Sequence, residues 1–159
     1  MALFILDTTV LSNFSHIRRP DLVQQVFGAD VATSPTAWAE LMTGQALGFL
    51  PACAWTDVSV IDLSEEEESI AATLRRALDA GEAECLALAQ SRRACLCSDD
   101  LVARKLAKEH GVPVSGTLGV LLLLVERGEL SLEEGERLLA LMRRQGYRSP
   151  VVSLRELLE

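Results

Sequence analysis

No stretch of this sequence is apolar for long enough to cross a membrane. The longest run, Val112 to Val125, is interrupted by Pro113, Ser115, Gly116, Thr117 and Gly119, whereas a spanning helix needs about 20 predominantly apolar residues. The opening Met1-Ala2-Leu3-Phe4-Ile5-Leu6 reaches Asp7 without a basic segment, so a signal peptide is not expected and a cytoplasmic protein is. Cysteine is sparse and wrongly spaced for zinc. Cys53, Cys85, Cys95 and Cys97 form no CxxC pair, and His16 and His110 lie far from them, so the thiols read as buried and reduced. A basic excess is missing too. The formal net charge is -8 and the isoelectric point about 4.8, which excludes a protein that grips nucleic acid by overall charge alone. There is no linker, internal repeat or disordered tail. What remains, 159 residues that are 49% hydrophobic and 24% charged, suits one compact domain over 1–159 with a substantial core.

Strands and helices alternate along the chain. Leu3-Phe4-Ile5-Leu6 reads as a buried parallel strand ending in Asp7, and Thr8 or Thr9 is placed to cap the helix that follows. A helix is expected after Pro20-Asp21 and a strand over Asp30-Val31-Ala32-Thr33. Ser34-Pro35-Thr36 opens a helix to Leu47, with a capping serine and a first-turn proline. A third strand centres on Val58 to Ile61, and Ser64 with its acidic followers opens a helix over 65–79. Gly81 then interrupts the pattern before a helix from about Glu82 to Arg92. Cys95 to Ser98 is a strand delivering Asp99 and Asp100, and helix Leu101 to His110 stops at Gly111. Val112 to Val114 is a short strand whose Pro113 suits an edge. An apolar helix to Arg127 follows Gly116, Ser131 to Glu134 reads as a capping box for a helix to Arg144, and a short helix closes the tail between Val151 and Glu159. This order predicts an α/β fold, with helices on both faces of a mainly parallel sheet.

Ligands bind open parallel sheets beyond the carboxyl ends of the strands. That rule selects Asp7 and the Asp99-Asp100 pair, each directly after an apolar strand. Glu40 and Glu84 stand out because each interrupts the apolar start of a helix, whereas Glu82 reads as solvated. Singly, the aspartates have a plainer reading as helix N-caps and the glutamates as complements to a helix dipole. Gathered together, buried carboxylates repel unless a cation holds them. An all-oxygen set suits Mg²⁺ or Mn²⁺, which orient and acidify water against a phosphodiester.

The segment Ile5-Leu6-Asp7-Thr8-Thr9-Val10-Leu11-Ser12-Asn13-Phe14 resembles the opening motif of PIN domains, the class of VapC-type toxins and related ribonucleases. The helix carrying Glu40 is similar to the family's second acidic position. Gly81 to Ala89 resembles the third, and Ser98 to Ala107, running on to Gly116-Thr117-Leu118-Gly119, resembles a stand-alone PIN branch. The resemblance implies a three-layer α/β/α sandwich and a metal-dependent endoribonuclease. Its ligand set falls on Asp7, Glu40, Glu84 and Asp100, with Asp99 close by. The third acid is glutamate where many relatives have aspartate, which leaves Glu82 and Glu84 as alternatives. The doubled aspartate leaves Asp99 and Asp100 open in the same way. Thr9, where asparagine or serine is more usual, is expected to steady Asp7. The resemblance also implies an RNA substrate, an antitoxin protein as partner for a toxin-type member, and a homodimer, with Phe49, Leu50 and Trp55 as candidates for an exposed patch.

Arg104 and Lys105 follow Asp100 by about one helical turn and are the expected phosphate contacts. Water attack at phosphorus would leave a 5′-phosphate and a 3′-hydroxyl. Two other readings compete. A haloacid-dehalogenase-like phosphatase requires a second aspartate where Thr9 stands, and a non-catalytic PIN-fold binding or scaffold module keeps the acids without turnover.

Overall fold

The computed structural model describes residues 3–158; Met1 and Ala2, where the missing leader was read, and Glu159, the last residue of the expected tail helix, lie outside it. The central sheet has five strands: β1 Phe4–Leu6, β2 Val31–Thr33, β3 Ser59–Val60, β4 Cys95–Cys97 and β5 Val114–Ser115. Their order is β3-β2-β1-β4-β5 and every pairing is parallel. The helices are α1 Thr8–His16, α2 Pro20–Phe27, α3 Pro35–Ala46, α4 Glu65–Leu74, α5 Ala80–Ser91, α6 Leu101–Glu109, α7 Thr117–Glu126, α8 Leu132–Arg144 and α9 Arg155–Leu158.

The chain winds outward from β1 to β3, then crosses back to place β4 on the other side of β1. The gap between the carboxyl ends of β1 and β4 is therefore the point where the winding reverses, the place where sheets of this kind open a crevice for ligands. Leu6 is in register with Cys97, and the Asp7 amide donates to the Cys97 carbonyl at 3.0 Å. Asp7 and Asp99 thus emerge almost level, on adjacent strands.

Alternate residues of the two central strands feed two cores, as the two-residue period of a strand requires. Leu6 and Cys97 face a layer of large side chains, among them Phe14, Leu22, Leu121, Leu124, Leu138 and Met142. Ile5 and Leu96 face an alanine-rich layer built from α4, α5 and α6, including Ala71, Ala83, Ala87, Ala103 and Ala107. Small side chains let α5 lie close against the sheet, which carries its amino end toward the crevice. The α/β/α layering expected from the sequence is present.

Four local expectations shift. Asp7 itself, not Thr8 or Thr9, caps α1, accepting from the Thr9 and Val10 amides. The helix expected over 65–79 stops at Leu74, and turn hydrogen bonds from Ala77 and Leu78 to the Leu74 carbonyl free Asp79 to cap a new helix. Gly81 lies inside that helix and does not interrupt it: α5 begins at Ala80, with Asp79 and Glu82 forming a reciprocal capping box. At Ser131 the serine caps the Glu134 amide, but the Glu134 carboxylate turns to Arg137 at 2.6 Å, so the box is half made. No helix among the described residues is long and apolar enough to cross a membrane.

Candidate active site

Asp7 is the deepest acid of the molecule. Its side chain is fully buried, yet only one oxygen is satisfied: Oδ1 accepts from the Thr9 amide at 3.0 Å and from the Thr9 hydroxyl. Its Oδ2 is the one buried side-chain nitrogen or oxygen without a hydrogen-bond partner among the described residues. Burial raises its pKa to about 7. The neighbouring Ser98 and Thr9 hydroxyls oppose that rise and the charge of Asp99 adds to it. A buried carboxyl oxygen without a partner is costly, by roughly 1–3 kcal/mol, and the fold retains it at the reversal point of the sheet.

Thr9 ties the two strand ends together. Its hydroxyl donates to Asp7 and accepts from the Asp99 amide at 2.8 Å. Asp99 is gripped through both oxygens. The Thr117 amide donates to Oδ1 at 2.8 Å, and the Thr117 hydroxyl and the Asn13 amide group, at 2.8 Å, donate to Oδ2. Burial nevertheless raises its pKa, against those donors. Gly116 makes this grip possible: a Cβ there would stand 2.6 Å from Asp99 Oδ1 and 3.0 Å from the Ser98 carbonyl.

Beside Asp99, with Asp7 buried behind it, opens a cleft of about 460 Å³, lined by Thr8, Thr9, Asn13, His16, Glu40, Asp79, Asp99, Asp100, Tyr147 and Arg148 among others. Glu40 is exposed, accepts from the Thr8 hydroxyl at 3.2 Å, and has its pKa raised by desolvation and by the charges of Asp79 and Glu84. Gly81 gives it room, since a Cβ at that position would lie 2.6 Å from Glu40 Oε1. Asp100 lines the cleft while its Oδ2 caps α6 through the Ala103 amide at 2.8 Å. Of the two aspartates after β4, Asp100 is therefore the helix cap and Asp99 the partner of Asp7.

The glutamates of α5 stand in surroundings other than those expected. Glu84 is buried, but it is drawn away from the cleft. It accepts from the Thr36 amide at 3.0 Å and the Thr36 hydroxyl, and pairs with Arg75 at 3.6 Å. It fastens the start of α3 to α5. Glu82, expected to be solvated, is half-buried with a pKa pushed up to about 8, mainly by burial and also by the charges of Asp79 and Asp100. Only two residues separate these glutamates, so the α5 turn points one toward α3 and the other toward the acidic cluster.

The basic side chains also differ from expectation. Arg104 donates through one guanidinium nitrogen to the Ser98 and Ser115 carbonyls, at 2.8 and 2.9 Å, and so clasps β4 to β5. Lys105 is exposed. Arg148 is the cation that lines the cleft. Sequence reading gave no role to it, nor to Asn13, Thr117 and Tyr147, because none is an acid or belongs to a charged pair, although Asn13 and Thr117 stand within the quoted motifs. Asn13 carried a faint signal, lying six residues after Asp7 on the buried side of α1. Of the proposed surface patch, Phe49 is 75% exposed, whereas Leu50 is half-buried and Trp55 is buried with its indole donating to Ser15. All four cysteines are free.

Every donor in the central pair is a carboxylate or hydroxyl oxygen, and one carboxylate oxygen is buried with nothing to hold it. That chemistry fits a hard divalent cation such as Mg²⁺ or Mn²⁺. As they stand, no three His, Cys, Asp or Glu side chains among the described residues close around a common point tightly enough to hold a metal ion. A pair of aspartates is assembled and the remaining acids form a wider ring. Comparison with curated proteins gave no match. The pattern of one family described as a PIN domain, in contrast, matches residues 3–159, a range that includes both strand ends, the acids around the cleft and the tail that carries Arg148. The chain belongs to the PIN-domain family.

Proposed function

We propose that this protein is a divalent-metal-dependent endoribonuclease. Asp7 and Asp99 are the central metal-holding pair, Glu40 and Glu82 the outer acids, and Asp100 the carboxylate beside them. Membership of a nuclease-type family supports the class of reaction. The observation that carries the reading further is Asp7 Oδ2, a fully buried carboxylate oxygen without a partner at the sheet's reversal point. A structural N-cap needs one carboxylate oxygen. The second, buried and without a partner, is what a cation would satisfy.

When bound, Mg²⁺ or Mn²⁺ would supply positive charge against the phosphodiester and acidify water. The chain's own contribution is geometric. Thr9 fixes the rotamer of Asp7 and the backbone of Asp99 together; Thr117 and Asn13 fix the carboxylate of Asp99. Glu40, which lines the cleft, would take a proton from water at its mouth, while Glu82, held on the Asp79 amide, adds its carboxyl beside Asp79 and Asp100. Arg148 meets the substrate's negative charge. The 5′-phosphate and 3′-hydroxyl ends expected from attack by water distinguish this route from one through the ribose 2′-hydroxyl.

The test is incubation of purified protein with mixed RNAs in Mn²⁺, in Mg²⁺ and in EDTA, with the product ends analysed. Cleavage only with metal, leaving 5′-phosphates, is the expected result. Cleavage that persists in EDTA, or 2′,3′-cyclic phosphate ends, would overturn it. A non-catalytic binding module draws on the absence of a closed three-acid cluster among the described residues; metal-dependent RNA binding without any cleavage would decide for it. An antitoxin partner and a homodimer are compatible with this proposal, and the exposed Leu47 and Phe49 are where a dimer contact would first be sought.

A further inference from the structure

A second cavity, of about 570 Å³, adjoins the acidic cleft. Asp99, Asp100, Tyr147 and Arg148 line both, so the two adjoin across a shared wall that carries two of the acids, with Glu40 and Asp79 on the cleft side. Beyond the wall the lining changes character. Leu101, Val102, Leu118 and Pro150 dominate it, with Leu101 81% and Val102 48% exposed. Apolar side chains so open at the first turn of a helix gain nothing from core packing. The one tyrosine of the chain stands at the junction, half-buried and anchored from its backbone amide to the Met142 carbonyl at 3.0 Å. Arg148, exposed beside it, makes no ion pair or side-chain hydrogen bond among the described residues. The other arginine of this cavity, Arg104, is committed to backbone carbonyls.

We infer that this second cavity is the subsite for one unpaired nucleobase next to the scissile phosphate, with Tyr147 as its stacking wall and Arg148 as the contact for the flanking phosphate. The inference rests on the ribonuclease reading and specifies how substrate is seated. Three observations favour a base over a protein side chain as occupant. The cavity shares Asp99 and Asp100 with the acidic cleft, so whatever carries a phosphate over Asp99 has its next group at this wall. An aromatic ring and a cation stand side by side there, the combination that single-stranded nucleic acids use. Beyond the shared wall the lining is mainly Leu101, Val102, Val114, Leu118 and Pro150, and the Arg104 guanidinium there is committed to backbone carbonyls, so few groups are free for edge recognition. The base is therefore held by its faces, and the site tolerates any base but not the lack of one. A paired base is excluded, because its faces are already stacked within a helix.

The test uses the full chain in Mn²⁺ with an unstructured, end-labelled RNA, and the same RNA carrying a single abasic residue walked past the cut. Wild type should lose efficiency about tenfold, through KM, when the abasic residue occupies one position beside the cut. Tyr147→Ala should raise KM about tenfold on intact RNA, with kcat changed less than about twofold, and should no longer distinguish the abasic substrate. Tyr147→Phe should behave as wild type. Because Tyr147 also packs against the core, Leu101→Glu and Arg148→Ala, both at exposed positions, provide independent variants, and each should raise KM. Wild-type cleavage that is indifferent to abasic residues at every position, or unchanged KM in Leu101→Glu and Arg148→Ala, would overturn the inference and leave the nuclease reading standing. Leu101→Glu protein that cuts RNA normally but changes its oligomeric state would assign the face to a second copy and overturn it as well. Failure of wild type to cut any RNA would instead remove the reading on which it rests.

Discussion

Two buried carboxylates in this molecule are held in opposite ways. Glu67, 2% exposed in α4, receives two nitrogens of Arg92 at 3.0 and 3.1 Å and completes a capping box with Ser64. These partners outweigh burial and hold its pKa down near 2. Asp7, equally buried, has no cation beside it and one oxygen with no partner, and its pKa rises to about 7. Glu67 is an acid whose charge the fold has neutralised for its own stability. Asp7 is an acid whose charge no cation of the fold neutralises among the described residues, as a ligand for the proposed metal requires. Burial alone separates nothing here; the partner set does.

The largest expected effect follows from removing the charge of Asp7. Asp7→Asn keeps the N-cap, because asparagine caps as well as aspartate, and takes away the ligand. RNA cleavage should fall by more than the roughly 100-fold that the loss of an outer supporting partner costs. With EDTA present, its thermal unfolding should occur no lower than that of the parent. An Asp7→Asn protein that is unfolded, or fully active, would collapse the contrast with Glu67.

Next comes the adjacent pair. Asp99→Asn should lower cleavage nearly as far as Asp7→Asn, since Asp99 is the acid tied to Asp7 through Thr9. Asp100→Asn retains a competent cap for α6 and should cost only a few-fold, roughly 1 kcal/mol of transition-state stabilisation. Equal losses in kcat/KM for both variants would return Asp100 to the inner pair.

Glu67→Gln should leave RNA cleavage intact and destabilise the fold by about 2 kcal/mol, discounted because Arg92 is 39% exposed and can be resolvated. The pH dependence has a definite sign. Glu67 is depressed in the folded state, so its contribution is present above about 4.5 and is lost as pH falls toward 2. Denaturant titrations across that range should show a steeper acid loss in the parent than in Glu67→Gln. Parallel curves would remove the ion pair as the source.

The smallest effect is expected at Glu84. Glu84→Gln gives up an ion pair with Arg75, itself 43% exposed, and retains acceptance from Thr36. A loss of about 1 kcal/mol or less in stability, with cleavage unchanged, is the expected outcome. A drop in metal-dependent activity as large as that of Asp99→Asn would restore Glu84 as a ligand.

Much of this was legible in the chain. Strand, acid and helix recur in the order of a parallel sheet, and the capping serines at 34 and 64 mark helix starts, because period and capping are local physics. The strand-following position of Asp7 was enough to single it out, since apolar strands deliver their next residue to the sheet's carboxyl edge. Which member of each acidic pair faces the cleft was not legible. Glu84 is taken by Thr36, 48 residues earlier, and Asp99 by Thr117, 18 residues later, and by Asn13, 86 residues earlier. Neighbours in sequence compete for partners that only the packed fold brings within reach. Arg148 and Tyr147 reach the cleft for the same reason, carried there from beyond α8. Sequence by itself determined the layers and singled out the acid after the first strand, because hydrophobic period and strand-end position are properties of short segments. The strand order that puts this acid at the reversal point came from the fold. Tertiary structure alone decided which carboxylates are satisfied and which are left waiting, because a hydrogen-bond partner is defined by distance in space, not along the chain.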